Sequence, residues 1–405
     1  MEASKRIEID KSWCDVLKLP QVTQGSQEWL AARCMKQTGS DFAAVIPRTE
    51  EYVGHIFDRW QYTDVKYSAR ANCAKSLTKP QYYKNKCLSV ITFKEQLLKP
   101  VTTEGCPEVT DEQNYNEDLE GAMSVGKRFE NLIRNATIQI LGTHISEIGW
   151  VENLKTEGAG VSPDGIVHCT VLPPTAPQID GKFISYGYGI DLKGEENTDL
   201  YSKETKKCTR SFEAKTLVTR QCEQKVPLQY HMQVEKNMYE LGLESSIYSE
   251  AGFIELSLEE WKKRKEELEA ESDPKGWKHL KLGCLLLHSR CHKNDDRYVW
   301  PHAYVRTPDQ FLTWRDMTLA WYSWKYPDVP HYAPPEVIYF EMETFWCTEI
   351  PLWSHYEKVY EPIIKKEIEA LKDAVNHPEK FLDANKTSAR AYTRAPKCNL
   401  IDVAI

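Results

Sequence analysis

Apolar residues recur along this chain with the two periods that separate helices from strands. Residues 121–141 carry Phe129, Leu132, Ile133 and Ala136 at helical spacing, which predicts a buried helix. The same reasoning predicts further helices over 226–244, 258–271 and 352–375, and strands over 245–256 and 336–346. Within residues 161–171, Asp164 precedes a predicted return strand. The helix over 258–271 is highly charged, so we expect a solvated face there.

Nearer the start, residues 23–46 predict two helices separated by a turn at Thr38-Gly39. Ser40 enters the second helix with the side chain and the position of an N-cap. Because a helix start presents free N–H groups to an anion, Arg33 and Ser40 could form a phosphate site. A surface arginine and an ordinary capping serine explain the same pattern without any ligand.

The composition is that of an ordinary globular protein, with 41% hydrophobic and 28% charged residues over 405 positions. No run of about 20 apolar residues occurs, and the first residues lack the apolar run of a signal peptide. We therefore expect an intracellular protein of the cytoplasm or nucleus, neither secreted nor held in a membrane. The 12 cysteines include no Cys-x-x-Cys pair, which indicates reduced thiols and not a disulfide framework or a zinc ribbon.

The net charge of −8 argues against a protein that coats nucleic acid by bulk electrostatics. A local cluster of basic residues can still bind nucleic acid in a protein with a negative net charge. Lysines and arginines are concentrated over residues 203–225. A solvated polar loop is the ordinary explanation of such a cluster when it stands alone.

Candidate chemistry lies in two further stretches. Asp164 lies in a Ser-Pro-Asp-Gly sequence, and a short apolar strand further on carries Glu213 and Lys215. Residues i and i+2 of a strand share one face, so Glu213 and Lys215 can reach one site while Phe212 and Ala214 face the core. A hard cation such as Mg²⁺ is held by a few carboxylate oxygens and keeps its waters, one of which becomes the attacking hydroxide. This combination is what a metal-dependent phosphodiesterase needs.

A second pair competes with this one. Alternation over residues 184–193 places Asp191 and Lys193 on one face of a predicted strand. Asp-x-Lys is chemically as good as Glu-x-Lys, so the pattern alone does not choose between them. Glu130, in the middle of the helix over 121–141, is either an exposed glutamate or a member of the same site.

Six blocks follow one another in a specific order. They are QGSQEWLAARCMKQTGSDFAAVI, GKRFEN, SPDG, FEAKT, YHMQV and a closing strand with a helix. Together they resemble the lambda-type exonucleases, also called YqaJ-like viral recombinases, a family that includes alkaline nucleases of large DNA viruses. The resemblance covers about half of the chain. It implies an α/β (α+β) fold with the PD-(D/E)-x-K nuclease core, in which helices flank a central mixed sheet, the metal site lies at one edge, and large insertions interrupt the core.

The resemblance also implies roles for individual residues. Asp164 and Glu213 would be metal ligands, and Lys215 would position the attacking water. Glu130 would assist the metal or its water shell from its helix. Gln233 matches the glutamine of the helix that follows the catalytic strand. These five residues form the predicted catalytic set.

In the family a short linker leads from the catalytic lysine to this glutamine. Glu213 lies 20 positions before Gln233 (233 − 213), against 42 for Asp191 (233 − 191). The resemblance therefore favours the pair at 213 and 215 over the pair at 191 and 193.

Three residues match the pocket that binds the terminal 5′ phosphate in the lambda-type enzyme, namely Arg33, Ser40 and Ser162. This match favours a 5′-to-3′ direction. One position departs from the family, because the second glutamine of the usual Gln-x-Gln is Glu235 here. The departure leaves a functional role for Glu235 in doubt.

As a whole, the resemblance implies a Mg²⁺-dependent DNA exonuclease, with Mn²⁺ as the alternative cation. It would act 5′ to 3′ on double-stranded DNA ends inside a host cell, in viral or mobile-element recombination or genome processing. The implied partners are duplex DNA ends and a single-strand annealing protein, and no sequence feature predicts an oligomer. One alternative is an endonuclease or an RNA-cleaving nuclease on the same fold, and another is a catalytically silent DNA-binding recombination partner.

The predicted organisation has three parts. A helical N-terminal region over 1–120 contributes the phosphate pocket. A nuclease core over 121–375 carries insertions at about 170–210 and 255–335, and a tail follows over 376–405. The alternative is one single compact domain.

Overall fold

A computed structural model provides the fold of the chain. It describes residues 16–24, 27–34, 36–45, 52, 54–56, 59, 82–83, 86–88, 122–141, 143–152, 154–168, 184–186, 209–218, 220–270, 280–287, 298–302, 305, 307–325 and 335–378.

Helices and strands alternate through these ranges. The helices are α1 (Gln27–Cys34), α2 (Gly39–Val45), α3 (Ala122–Leu141), α4 (Leu228–Leu241), α5 (Leu258–Ala270), α6 (Pro308–Lys325) and α7 (Tyr356–Asn376). The strands are β1 (His144–Ser146), β2 (Val151–Glu152), β3 (Gly160–Val161), β4 (Gly165–His168), β5 (Ile184–Tyr186), β6 (Arg210–Leu217), β7 (Ser245–Leu256), β8 (Leu282–Leu287), β9 (Tyr298–Val299) and β10 (Glu336–Pro351). From residue 121 onward, each predicted helix or strand is present in its described part, with bounds that differ by a few positions, and β10 continues beyond the predicted strand to Pro351. Residues 187–193 of the predicted strand over 184–193 lie outside the described residues.

Most of the strands form one large mixed sheet. Its order is β1-β4-β6-β7-β10-β8-β9, and β5 pairs with the second half of β10. The β6–β7 and β5–β10 pairs are parallel, and the other pairs are antiparallel. A separate short pair joins β2 to β3. A mixed sheet with flanking helices confirms the predicted α/β class.

Helices cover both faces of this sheet. On one face, Ile133 and Ala136 of α3 belong to the same buried cluster as Phe212 and Ala214 of β6. The opposite face is covered by α4 and α7, together with α2. There, the largest buried cluster brings together Phe42, Met232, Tyr248, Trp346 and Tyr360. Since each strand alternates its side chains between these two layers, both faces of β6 are buried.

A strand-helix-strand unit forms the centre of the fold. The helix α4 connects the parallel neighbours β6 and β7, which need such a crossover. It ends at Gly242, whose φ of 68° is left-handed, and the N–H of Leu243 donates to the carbonyl of Met238 at 2.9 Å. This C-cap uses the conformational freedom of glycine and turns the chain directly into β7.

The segment predicted as an insertion over 255–335 packs directly onto the sheet in its described part. β8 pairs with the first half of β10. Trp261 of α5 and Phe311 of α6 are buried in one cluster with Cys284 and Tyr339. The described part of this segment therefore adds two strands, β8 and β9, to the large sheet and two helices, α5 and α6, beside it.

The described residues bear on the predictions about membrane segments and about cysteines. No helix within the described residues has the length and apolar character that crossing a membrane requires. Cys87, Cys222, Cys284 and Cys347 are reduced, as the spacing of the cysteines indicated, and the thiol of Cys87 donates to the carbonyl of Ala374 at 3.1 Å.

The predicted cap of the second N-terminal helix is wrong by two positions. The helix α2 is capped by Thr38, whose hydroxyl accepts from the N–H of Asp41 at 3.1 Å. The carboxylate of Asp41 accepts in turn from the N–H of Thr38 at 3.0 Å, which completes a reciprocal capping box. Ser40 lies inside the first turn and is exposed. The capping box therefore occupies the N–H of Asp41, which is one of the first amides of this seven-residue helix.

Candidate active site

Asp164 lies directly before β4, where that strand runs antiparallel to β6. Gly165 is level with Phe212 in the register, which brings the preceding Asp164 beside Glu213. The backbone N–H of Ala214 donates to Asp164 Oδ2 at 2.8 Å. A main-chain donor from β6 therefore holds this carboxylate in place.

Glu213 and Lys215 share one face of β6, as the strand period predicted. Phe212 and Ala214 point the other way, into the cluster with α3. Glu213 is only 1% exposed. The ammonium of Lys215 donates to Glu213 Oε1 and lies 3.9 Å from Asp164 Oδ2. The three predicted core residues of the site thus converge at one point.

The helix α4 holds the other side of Glu213. Gln233 donates from its Nε2 to Glu213 Oε1 at 2.5 Å. Asn237, one turn later on the same helix face, donates from its Nδ2 to Glu213 Oε2 at 3.2 Å. Both oxygens of this carboxylate are therefore oriented by amide groups of one helix.

Glu130 reaches the site from α3. The hydroxyl of Thr216 donates to the carbonyl of Gly126 at 3.2 Å, which ties α3 to β6 near the site. Arg134, one turn after Glu130, donates to the carbonyl oxygen of Asp164 at 2.9 Å. Glu130 is close enough to Asp164 for the two charges to interact. Its position in the middle of the helix is thus compatible with the predicted assisting role.

The site concentrates negative charge in a buried place. Burial, followed by the charge of Asp164, raises the pKa of Glu213 to about 8 and the pKa of Glu130 to about 7. Burial by itself lowers the pKa of Lys215, but Glu213 and Asp164 outweigh it and raise that pKa above its usual value. Three carboxyl groups surround one ammonium, and the raised pKa values of Glu213 and Glu130 show that the site disfavours the ionisation of all three together.

This donor set fits a hard divalent cation. Carboxylate oxygens with excess negative charge are the ligands that Mg²⁺ and Mn²⁺ take. Asp164 and Glu213 are the residues best placed to hold such an ion, with Glu130 beside them. Within the described ranges, no three Asp, Glu, His or Cys side chains form a ready-made ion site, and the ammonium of Lys215 lies between the two principal carboxylates.

A second polar group borders the site along β7. The ring of Tyr230 lies 5.3 Å from the ammonium of Lys215 and 5.9 Å from the guanidinium carbon of Arg220. Arg220 forms an ion pair with the fully buried Glu250 and donates to the hydroxyl of Tyr248 at 3.2 Å. Glu250 is level with Lys215 in the parallel register. The group therefore continues the polar face of β6 onto its neighbour.

The residues predicted to bind a terminal phosphate come from two adjoining segments. Gln37, between α1 and α2, donates its N–H to Gly158 and accepts from the N–H of Gly160, each at 3.0 Å. These bonds hold the α1–α2 connection beside β3, which leads straight into Ser162. The buried hydroxyl oxygen of Ser162 has no hydrogen-bond partner among the described residues. Such a donor is available to an acceptor on a ligand.

Arg33 and Ser40 occupy less decisive positions. The guanidinium of Arg33 stacks on the ring of Trp29 at 4.1 Å from its centroid. The hydroxyl of Ser40 lies 3.0 Å from that of Thr38. Lys86 holds this region together, because its ammonium lies 2.7 Å from Asp41 and donates to the carbonyl of Arg33 at 3.0 Å. A role for these side chains in phosphate binding stays a prediction.

Glu235, the position that departs from the family pattern, lies on the opposite face of α4 from Gln233. It is fully buried and accepts from the backbone N–H of Trp353 at 3.1 Å. His231, one turn earlier on the helix, lies 3.6 Å from its carboxylate. Glu235 therefore anchors the helix to the start of α7 and does not reach Glu213. The rival pair, Asp191 and Lys193, lies outside the described residues.

Sequence reasoning did not single out four residues in or beside the site, namely Arg134, Arg220, Tyr230 and Asn237. Asn237 is four positions after Gln233, so helical spacing could have placed it on the same face. Arg134 is likewise four positions after Glu130. Tyr230 and Arg220 carried no comparable signal, because their place beside Lys215 depends on how the β6–α4 connection folds.

Gly165 has a steric role next to Asp164, which yields a stability prediction. A Cβ at this position would lie 2.6 Å from Ile145 Cγ2 and 3.1 Å from the carbonyl of Ser146 on the neighbouring strand β1. We expect Gly165→Ala to lower the free energy of unfolding by about 1–3 kcal/mol, measured by denaturant unfolding. Gly126→Ala is the control, since a Cβ there meets nothing within 4 Å and should be neutral or stabilising. Equal stability of Gly165→Ala and the parent chain would contradict this reading.

The described fold and site define an α/β protein with a carboxylate and lysine site at the junction of β4 and β6 in a mixed sheet. A sequence model of the YqaJ-like viral recombinase domain matches residues 28–244. This match spans more than half of the 405 residues, and the chain belongs to that family. The adjacent placement of Asp164, Glu213 and Lys215 agrees with the PD-(D/E)-x-K core that the motifs predicted.

Two solved structures are similar to the chain. One is the crystal structure of an alkaline exonuclease, LHK-Exo, from Laribacter hongkongensis, with 15% identity and a TM-score of 0.26, covering 56% of this chain and 74% of that one. The other is LHK-Exo in complex with dAMP, with 13% identity and a TM-score of 0.31, covering 88% and 97%. Because these TM-scores are low, family membership rests on the sequence match. No curated protein matches the chain at a significant level.

Proposed function

We propose that this protein is a divalent-metal-dependent deoxyribonuclease that degrades duplex DNA from its ends. The observation that carries the proposal is the convergence of Asp164, Glu213 and Lys215 at the junction of β4 and β6. Carboxylates that can hold a hard cation, next to a fixed ammonium, form the minimal apparatus for phosphodiester hydrolysis. Membership of the YqaJ-like viral recombinase family supports the same conclusion.

Each side chain has a distinct task in this proposal. Asp164 and Glu213 would hold Mg²⁺ or Mn²⁺, which when bound supplies an activated water and offsets charge on the phosphate. The ammonium of Lys215 is placed to hold that water or a phosphate oxygen by a charge-assisted hydrogen bond. Glu130 would accept from the surrounding water shell. Gln233 orients Glu213 from behind.

Little of this geometry depends on long mobile side chains. Asp164 accepts a hydrogen bond from a backbone amide of β6. Glu213 accepts from the side-chain amides of Gln233 and Asn237 on α4. Preorganised groups of this kind do not need to reorient as charge develops on the phosphate. The rigid strand-helix-strand unit is therefore the catalytic scaffold in this proposal.

A preference for 5′ ends is the finer part of the proposal. Ser162 is two residues before Asp164, and its buried hydroxyl lacks a partner among the described residues. A phosphate oxygen is a suitable acceptor for that hydroxyl. Arg33 and Ser40 lie on the connected α1–α2 segment and would complete a pocket for a terminal 5′ phosphate. Such a pocket next to the metal ligands would direct degradation 5′ to 3′.

The decisive experiment compares three duplex DNA substrates of one sequence, namely linear with 5′ phosphates, linear with 5′ hydroxyls, and covalently closed circular. In Mg²⁺ we expect nucleotide release from linear DNA alone, about tenfold faster from the 5′-phosphorylated form, because a charge-assisted contact is lost without the phosphate. EDTA should stop release. Cleavage of the circle at the linear rate would replace the exonuclease by an endonuclease, and preferential cleavage of matched RNA would change the substrate class.

A further inference from the structure

Asn237 is buried between two parts of the site that are far apart in sequence. Its side-chain amide nitrogen donates to Glu213 Oε2 at 3.2 Å. Its amide oxygen faces the first residue of α2, where a Cβ added to Gly39 would lie 2.8 Å from it. Asn237 is 2% exposed. Both ends of this amide are thus in contact with residues of the site.

The acceptor positions of Glu213 show why this contact matters. A carboxylate offers about four acceptor positions, two on each oxygen. Oε1 accepts from Lys215 and from Gln233, which occupies both of its positions. Oε2 accepts from Asn237 within the described residues, which leaves one position open. The direction of that open position is set by the hydrogen bond from Asn237.

Gly39 has a steric explanation that involves the same amide. The described glycines with positive φ are Gly158 and Gly242, so the backbone of Gly39 is one that any residue can adopt. An added Cβ would nevertheless meet Asn237 Oδ1 at 2.8 Å and Gln233 Cγ at 3.4 Å. A contact under 3.0 Å forces one partner to shift. The movable partner is the Asn237 amide, and its displacement would weaken the bond to Glu213.

We infer that Asn237 is a positioning residue for the metal ligand Glu213, and that Gly39 supplies the space which keeps its amide in place. The inference rests on the proposed function, because it takes Glu213 to hold a cation. In this inference, the Asn237 amide also fixes the position of α2, which carries Ser40, relative to Glu213.

The test is calorimetric titration of the full chain with Mn²⁺, a readout that does not depend on DNA cleavage. Asn237→Ala should bind Mn²⁺ about 10- to 100-fold more weakly, as is typical when a group that orients a ligand is lost. Gly39→Ala should bind about tenfold more weakly. The double variant should match Asn237→Ala within about twofold, because the added methyl no longer displaces anything. Gly54→Ala is the matched control, since a Cβ there meets nothing within 4 Å.

Several outcomes would overturn the inference. Parental Mn²⁺ affinity in Asn237→Ala would remove the positioning role, and additive losses in the double variant would remove the link to Gly39. Thermal melting establishes that each variant is folded at the titration temperature. If Asn237→Ala is not folded, Gly39→Ala decides alone, and parental affinity there refutes the inference. If the parent chain neither binds Mn²⁺ nor cleaves DNA, the proposed function itself fails.

Discussion

Replacing Lys215 by alanine is expected to abolish DNA cleavage while DNA binding stays measurable. The ammonium lies between Glu213 and Asp164, where water and the scissile phosphate would meet the proposed cation. Without it, charge that develops on the phosphate loses a preorganised donor. Loss of one such donor reduces kcat by about 10²- to 10³-fold. Single-turnover digestion of 5′-phosphorylated duplex, with DNA binding followed separately by fluorescence anisotropy, measures both quantities.

The same variant has a second readout that does not involve catalysis. Lys215→Ala leaves three carboxylates without their ammonium, so their repulsion should lower the melting temperature in EDTA. Added Mg²⁺ should raise the melting temperature of the variant by more than that of the parent chain. Lys263→Ala is the control, because Lys263 is an exposed residue of α5 whose side chain pairs weakly with Glu267. Full cleavage by Lys215→Ala would remove this lysine from the site.

Replacing Glu240 by alanine is expected to destabilise the whole fold by about 3–5 kcal/mol. Lys236 is completely buried, and its ammonium donates to Glu240 Oε1 at 2.5 Å. Burial lowers the pKa of Lys236, and Glu240 counteracts that effect. Glu240 Oε2 also accepts from the backbone N–H of Thr156 at 3.2 Å. The alanine variant would leave a buried charge and a buried amide without partners.

Guanidinium chloride unfolding measures this loss as a change in the free energy of unfolding. Glu266→Ala, an exposed glutamate of α5, should change that free energy by less than about 0.5 kcal/mol. The double variant Lys236→Met, Glu240→Gln removes the buried charge and should recover part of the loss. A Glu240→Ala protein as stable as the parent would show that the pair does not stabilise the packing of α4 against residues 154–156.

Local patterns were enough to predict the parts of the fold in which one period dominates. In β6, the alternation that puts Phe212 and Ala214 on one face is the same alternation that puts Glu213 and Lys215 on the other. The helical spacing over 121–141 likewise identified α3, and Gly242 marked the end of α4. These features depend on neighbours within a few positions, and such neighbours are visible in the sequence.

Two other features were not predicted correctly. The segment over 255–335 looked like an addition to the core, yet β8 lies against β10, and that pairing depends on contacts between residues that are distant in the chain. The cap of α2 was placed at Ser40, whereas Thr38 and Asp41 cap it together. This capping box is a local pattern, so here the sequence held a signal that the prediction misassigned.

The sequence by itself determined that the site consists of carboxylates and a lysine, and it determined most of the helices and strands that carry these residues. It left the pair Asp191 and Lys193 as an alternative to Glu213 and Lys215. Only the resemblance to a family favoured the second pair. Tertiary structure decided the distances at which Asp164, Glu213 and Lys215 meet, that Asn237 bonds to Glu213, and that Glu235 bonds to the segment before α7. The physical reason is that a site requires side chains from different helices and strands to lie at fixed distances. Sheet register and helix packing set those distances, whereas the local period of a helix or strand sets the face on which each residue lies.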